Sequence, residues 1–189
     1  MRAATETLQD FRKAYSGEYD LRQQVIADLE FALIPGMQWA GSDAKQWANK
    51  PKPENNKLFK NIMAINGRFQ EAEFGAKISS ASDEATDDDA ETLQKLWRND
   101  FNGSDGADAL NKAFEEASFG GFGALKVVSR YEDEEDPQDD QQYLSFEMIG
   151  SAASSVFFNA GALRRDKTDA NQGWHLQRVN REKTEEEYG

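Results

Sequence analysis

Few residues of this chain have types suited to chemistry. There is one histidine, His175, and no cysteine. A histidine-based dyad or triad therefore has one candidate, and His175 falls on a stretch that reads as a strand, with no serine-bearing elbow nearby. A surface or interface histidine is the expected reading. Asp100, Asn102 and Ser104 take the first, third and fifth places of a calcium loop, but the sixth place is Asp105 where glycine is needed and the twelfth is Asn111 where a bidentate glutamate is needed. The calcium reading is rejected. Paired carboxylates do acid–base work when their surroundings drive their pKa values apart, and no such pair stands out. A carboxylate-based hydrolase would show divalent-metal-dependent turnover. Gly120, Gly121 and Gly123 follow a helix and precede a strand, the reverse of the order that aims backbone amides at a phosphate, and no Walker pattern occurs. The pattern calls for no enzyme, cofactor or metal.

The stretch that organises the chain is Asp108 to Tyr131. Leu110, Ala113, Phe114 and Ala117 recur at the spacing of one helical stripe, with Glu115 and Glu116 expected on the other side. The glycines after Ser118 permit positive φ and close backbone approach. Ala124 to Tyr131 then reads as a strand, rich in β-branched and aromatic residues. Small side chains at Ala113, Ala117, Gly121 and Gly123 would let helix and strand lie close.

Before this elbow, the spacing predicts a long helix from Thr5 to Leu33, with Leu8, Phe11, Tyr15, Tyr19, Ile26, Leu29 and Leu33 on its apolar side and Gly17 a weak spot. Pro35-Gly36 stops it. Residues 41–56 read as an irregular loop, in which Trp47 is the better partner anchor and Trp39 the better core cover. A second helix begins near Asn56 as cap and runs to Glu73, with Leu58, Ile62, Ile65 and Phe69 as its stripe. Phe74 to Ile78 reads as a short strand and residues 79–85 as a polar connector. A third helix starts at Thr86, whose spacing to Asp89 resembles a capping box, so the Asp87-Asp88-Asp89 run is helix-start chemistry and no metal site. Ala90, Leu93, Trp97 and Phe101, with Leu96 beside them, are its expected buried side. Ser104 or Asp105 is the expected cap of the next helix.

Beyond the elbow, the acidic run from Glu132 to Asp140 carries Pro137 and should stay extended and solvated. Tyr143 to Ile149 alternates, with Leu144, Phe146 and Met148 on one face, so a hairpin across the acidic loop is expected. Ser155 to Phe158 and Gly173 to Val179 supply two further short strands. Thr184 to Glu187 looks like a helix start cut short by the end at Gly189, so a longer functional molecule is expected.

The chain has 189 residues, 38% hydrophobic and 30% charged, with 12 Phe, 5 Tyr and 4 Trp, enough for one good core. A net charge of −13 argues against ordinary nucleic-acid binding, which rests on Lys and Arg neutralising phosphates. The first residues carry no apolar run, and nowhere do eighteen apolar residues follow one another, so neither signal peptide nor membrane span is read. The lack of cysteine fits a reducing compartment.

Several motifs, in order, resemble one family. They are Asp28-Leu29-Glu30-Phe31 on the long helix, Gln38-Trp39, Lys50-Pro51-Lys52-Pro53, and Asn61 to Gly67. Ala113 to Ala117 with Gly121-Phe122-Gly123 comes next, and Asp166 to Ala170 before Trp174 closes the series. Together they look like the N-terminal part, the wing region, of the portal proteins of short-tailed bacteriophages. The chain departs from that pattern at residues 71–74, where basic and polar residues are usual, and at residues 159–161, where Asp-Pro is. The resemblance implies a single portion, residues 1–189, of a subunit in a dodecameric homo-oligomer ring at one capsid vertex of the virion, assembled in the host cytoplasm. It implies terminase, capsid or scaffolding proteins and tail adaptor proteins as partners, with DNA threaded through without sequence-specific binding. The channel-lining stem and crown would lie beyond Gly189. An acidic conduit does not grip the polyanion it passes.

The expected architecture is α+β: three or four amphipathic helices packed on a small, largely antiparallel sheet. The expected function is a non-enzymatic, structural portal subunit. The competing reading is a small acidic adaptor or regulator that binds a basic protein through residues 132–140.

Overall fold

A computed structural model describes residues 4–41, 43–46, 48–72, 74–80, 86–133 and 140–180. Trp47, most of the acidic run and the helix start at Thr184 lie outside them. The helices are α1 (Ala4–Leu33), α2 (Asp43–Gln46), α3 (Lys57–Glu71), α4 (Asp87–Gly103), α5 (Gly106–Gly120) and α6 (Ala152–Ser155). The strands are β1 (Leu125–Tyr131), β2 (Gln142–Met148), β3 (Val156–Phe158) and β4 (Gly173–His175). The class is α+β, as the sequence predicts, with two antiparallel two-stranded sheets, β1–β2 and β3–β4.

Helix α1 runs unbroken through Gly17 and stops before Gly36, whose φ of 88° suits glycine. A short turn of 3-10 helix at Met37–Trp39 and the short α2 occupy part of the expected loop, and Trp39 is half-buried. The buried side of α1 is Ala14, Arg22, Val25 and Ala32, while Leu8, Tyr15, Tyr19 and Leu33 of the expected stripe are exposed. The reason is closeness. A Cβ on Gly120 would meet the Val25 side chain at 2.8 Å, so α1 and α5 approach where large side chains do not fit. The rings of Phe11 and Tyr15 flank Phe157 instead, at 5.8 and 5.3 Å between centroids.

Helix caps follow the sequence. The Asn56 side chain accepts the Phe59 N–H and donates to the Ala32 carbonyl, 2.8 Å each, which ties the start of α3 to the end of α1. Thr86 and Asp89 form the expected capping box: Asp89 N–H donates to Thr86 Oγ1 at 3.2 Å, and Thr86 N–H donates to Asp89 Oδ2 at 3.0 Å. Thr86 Oγ1 also donates to Asp89 Oδ2 at 2.7 Å, and that bond first, then the one from Thr86 N–H, holds the Asp89 carboxyl below its ordinary pKa. Two expectations fail here. Leu93 and Leu96 are exposed, and α4 buries Ala90 and Phe101. Residues 74–78 form no strand, because Gln94 of α4 takes the strand neighbour's place: its side chain accepts the Ile78 N–H at 2.8 Å and donates to the Ala76 carbonyl.

Helix α5 sits at the centre, packed by α1, α3, α4 and β2, and from Leu110 onward none of its residues is exposed. Phe119 and Ala109 join its core side, Phe59 of α3 stacks on Phe119, and Phe69 stacks on Phe114. Glu116, expected on the solvent side, is 9% exposed. The elbow is as expected. Gly121 caps α5 with φ 77°, and a Cβ on Gly123 would lie 1.8 Å from the Ala113 carbonyl oxygen. Gly121 has open space around it, so its need is conformational, whereas that of Gly123 is steric.

Candidate functional site

The residues that looked capable of chemistry do not converge. His175 pairs across β4 with Val156 of β3. No cluster of three or more His, Asp or Glu side chains suited to a metal occurs among the described residues. The site with the most specific geometry is the β1–β2 hairpin and the helices that hold it.

The hairpin pairs Leu125 with Met148 through Tyr131 with Gln142, without a break in register. Phe146 packs edge-on against Phe101, which stacks on Trp97, so the face carrying Leu144, Phe146 and Met148 turns toward the helices. Two of the three residues at the calcium-loop positions have another task here. Asp100 Oδ2 accepts the Leu144 N–H at 2.9 Å, and Ser104 Oγ accepts the Phe146 N–H at 3.1 Å while donating to the Asp100 carbonyl at 2.6 Å. Side chains one helical turn apart on α4 thus meet amides two residues apart on β2. Helix α4 takes the place of a strand along that edge. Ser104 is the C-cap of α4, and Asp105 takes the N-cap position of α5 as expected, with φ 53° and its carbonyl accepting the Ala109 N–H but no side-chain capping bond.

On the opposite face of the hairpin, Glu147 accepts from Lys126 at 3.1 Å and from Arg130. The hydrogen bond from Arg130, then that from Lys126, keeps the Glu147 carboxyl below its ordinary range.

Two joints built on buried charged side chains fix α1 to the second sheet and α5 to the start of α6. Arg22 is 4% exposed; its Nε and a terminal nitrogen reach Glu18 Oε2 at 3.1 and 2.7 Å. Its guanidinium carbon lies 3.7 Å from the Phe122 ring centre and 5.6 Å from that of Phe157, a cation between two aromatic faces. Lys167 reaches Glu18 Oε1 at 3.6 Å and donates to the Ala162 carbonyl at 2.9 Å. The Asp166–Ala170 motif positions it: Asp169 accepts the N–H groups of Leu163 at 2.7 Å and Arg164 at 3.1 Å, and Asp166 accepts from Thr168. In the second joint, the two carboxylate oxygens of Glu116 accept the N–H groups of Ser151 and Ala152, 2.8 Å each. Sequence reasoning missed Arg22, Glu18 and Glu116 because amphipathic patterning sends charges outward. The signal available was their position: Glu18, Arg22 and Val25 share one helical stripe.

An apolar groove of about 410 Å3 lies between α1, α5 and α6, lined by Ile26, Leu29, Leu33 and Phe119 with Glu30 and Lys112 at its margin. Glu115, Glu116, Ser151 and Ser154 also line it, and the Glu116 carboxylate oxygens are taken up by the Ser151 and Ala152 N–H groups. Among the described residues, no helix is long and apolar enough to cross a membrane. What the site offers is surface: the chain leaves Val127, Tyr131, Leu144, Met148, Leu93 and Leu96 exposed.

Comparison with known proteins agrees with the motif order. The model of the phage P22-like portal protein family matches residues 8–189. A "Portal protein" of Acyrthosiphon pisum secondary endosymbiont phage 1 is 29% identical over 189 residues, covering 97% of this chain and 26% of that protein. The chain thus spans about a quarter of that relative's length.

Proposed function

Because the chain belongs to the P22-like portal protein family, we propose that it forms the wing portion of a subunit in a closed homo-oligomeric ring at the capsid vertex of a phage. In that role the ring is a conduit for genome packaging and ejection and a platform on which terminase and tail or adaptor proteins dock. The subunit does its work as a shaped body, without a chemical step, and assembles in the host cytoplasm.

The observation that carries this reading is the family match over residues 8–189. The net charge of −13 supports passage of DNA without capture.

The test is deletion of residues 132–140 from the full-length protein. A portal subunit loses only a loop and still assembles into rings. A small adaptor that binds a basic protein through those residues loses its partner and forms no ring with or without them.

A further inference from the structure

The side-chain amides of Asn56 and Gln94, which hold the chain at the start of α3 and beyond its end, are bonded through both oxygen and nitrogen. Asn66, in the middle of α3, is the exception. It is 3% exposed, and no described residue bonds to either its amide oxygen or its amide nitrogen. An amide shut away from water without a partner loses its hydrogen bonds to solvent and gains none in return. At that exposure its burial is already complete within this chain.

The rotation of α3 about its axis accounts for the misfit. Phe59 and Phe69 stack on Phe119 and Phe114 of α5, so the side turned toward α5 is that of Phe59, Asn66 and Phe69, with half-buried Ile62 between them. The side that hydrophobic periodicity selects is Leu58, Ile62, Ile65 and Phe69, and it lies only about 50° further round the helix. Ile62 and Phe69 belong to both sides. Ile65 is nevertheless 53% exposed and Leu58 46%. A polar side chain thus occupies the seam while an apolar one next to it stands outside.

We propose that α3 is a two-position element, which rocks about its own axis between the seat seen here and a second seat in which Ile65 replaces Asn66 against α5 and the Asn66 amide reaches water. Ile62 and Phe69 keep their contact in both seats, so the helix turns without leaving α5. Its flanks permit the turn: residues 51–56 before it and 74–80 after it form no helix or strand. The Asn56 side chain, bonded to the Ala32 carbonyl, is the pivot at its start. The two seats present different outer faces, one with Ile65 and Leu58 outward and one with Asn66 outward.

The experiment is methyl NMR on the full-length protein labelled at its isoleucine δ1 carbons, with relaxation dispersion read at Ile62 and Ile65. The expected result is exchange between two environments on the microsecond-to-millisecond scale at both methyls. Full-length Asn66→Leu, which makes the present seat wholly apolar, should cut the second seat's share about tenfold or more, quench the exchange and raise the urea midpoint. Full-length Ile65→Asn, which spoils the second seat, should quench the exchange at Ile62 without raising the midpoint. Methyls that show no exchange in the unsubstituted protein fix α3 in one seat and overturn the inference. Exchange that either variant leaves unchanged has another origin and also overturns it. A urea midpoint that Asn66→Leu fails to raise shows the amide to be satisfied where it lies, with the same consequence.

Discussion

The guanidinium carbon of Arg22 lies 3.7 Å from the centre of the Phe122 ring, which joins the middle of α1 to the turn where α5 becomes β1. With Arg22 and Glu18 side chains 5% and 11% exposed, this pair is a desolvated joint. Removing one partner strands a buried charge and costs about 3–5 kcal/mol. Arg22→Ala should therefore lower the urea midpoint severely. Replacing both, Glu18→Met with Arg22→Met, should restore part of the loss, because apolar groups of similar volume need no partner, while Lys167 loses its Glu18 partner. Equal destabilisation by the single and double variants would contradict this.

Gly121 and Gly123 stand two residues apart and should fail differently. A Cβ at 123 lies 1.8 Å from a backbone oxygen, so Gly123→Ala must push β1 away from α5 and should prevent cooperative folding. At 121 there is room, and Gly121→Ala carries only the strain of a left-handed backbone, about 1–2 kcal/mol. Gly121→Val should be worse than Gly121→Ala, since a β-branched side chain tolerates that φ poorly. Circular dichroism melts of the three variants rank them.

Thr86→Ala removes the side chain that accepts the Asp89 N–H. It should cost about 1 kcal/mol, the usual worth of a helix cap. The readout is denaturant unfolding together with faster exchange of the Asp89 and Ala90 amides, while α5 amides stay protected.

Glu147 gives a pH signature. Its folded pKa lies below its ordinary value of 4.5, so its contribution is complete above that value and is lost as pH falls through the folded pKa. Lys126 and Arg130 are partly exposed, so solvent screens the cluster, and Glu147→Gln should cost no more than about 1 kcal/mol at pH 7. That difference should shrink as pH drops below 4.5 and vanish once Glu147 is protonated in both states. A gap that persists at pH 3 would show that packing, not charge, is what Glu147 supplies.

Where the determinant is local, the sequence announces the structure. The Thr86–Asp89 box, the Asn56 cap, the stop at Gly36 and the Gly121–Gly123 elbow are written within a few residues of where they act. The hairpin register follows from alternation in β2. What resists reading is tertiary. Arg22 and Glu18 turn inward because rings from distant segments, Phe122 and Phe157, close over them. Gln94 removes a strand by satisfying its backbone from a helix, and Asp100 and Ser104 stop looking like ligands only when β2 lies beside them. Hydrophobicity ranks Leu93 and Tyr15 as core, yet a helix surface closed by alanines has no room for them.

The central claim is that this chain is part of a ring-forming subunit, and native mass spectrometry of the full-length protein tests it most directly. The account predicts one closed oligomer of defined copy number that persists on dilution. A protein that remains a monomer when concentrated would contradict it.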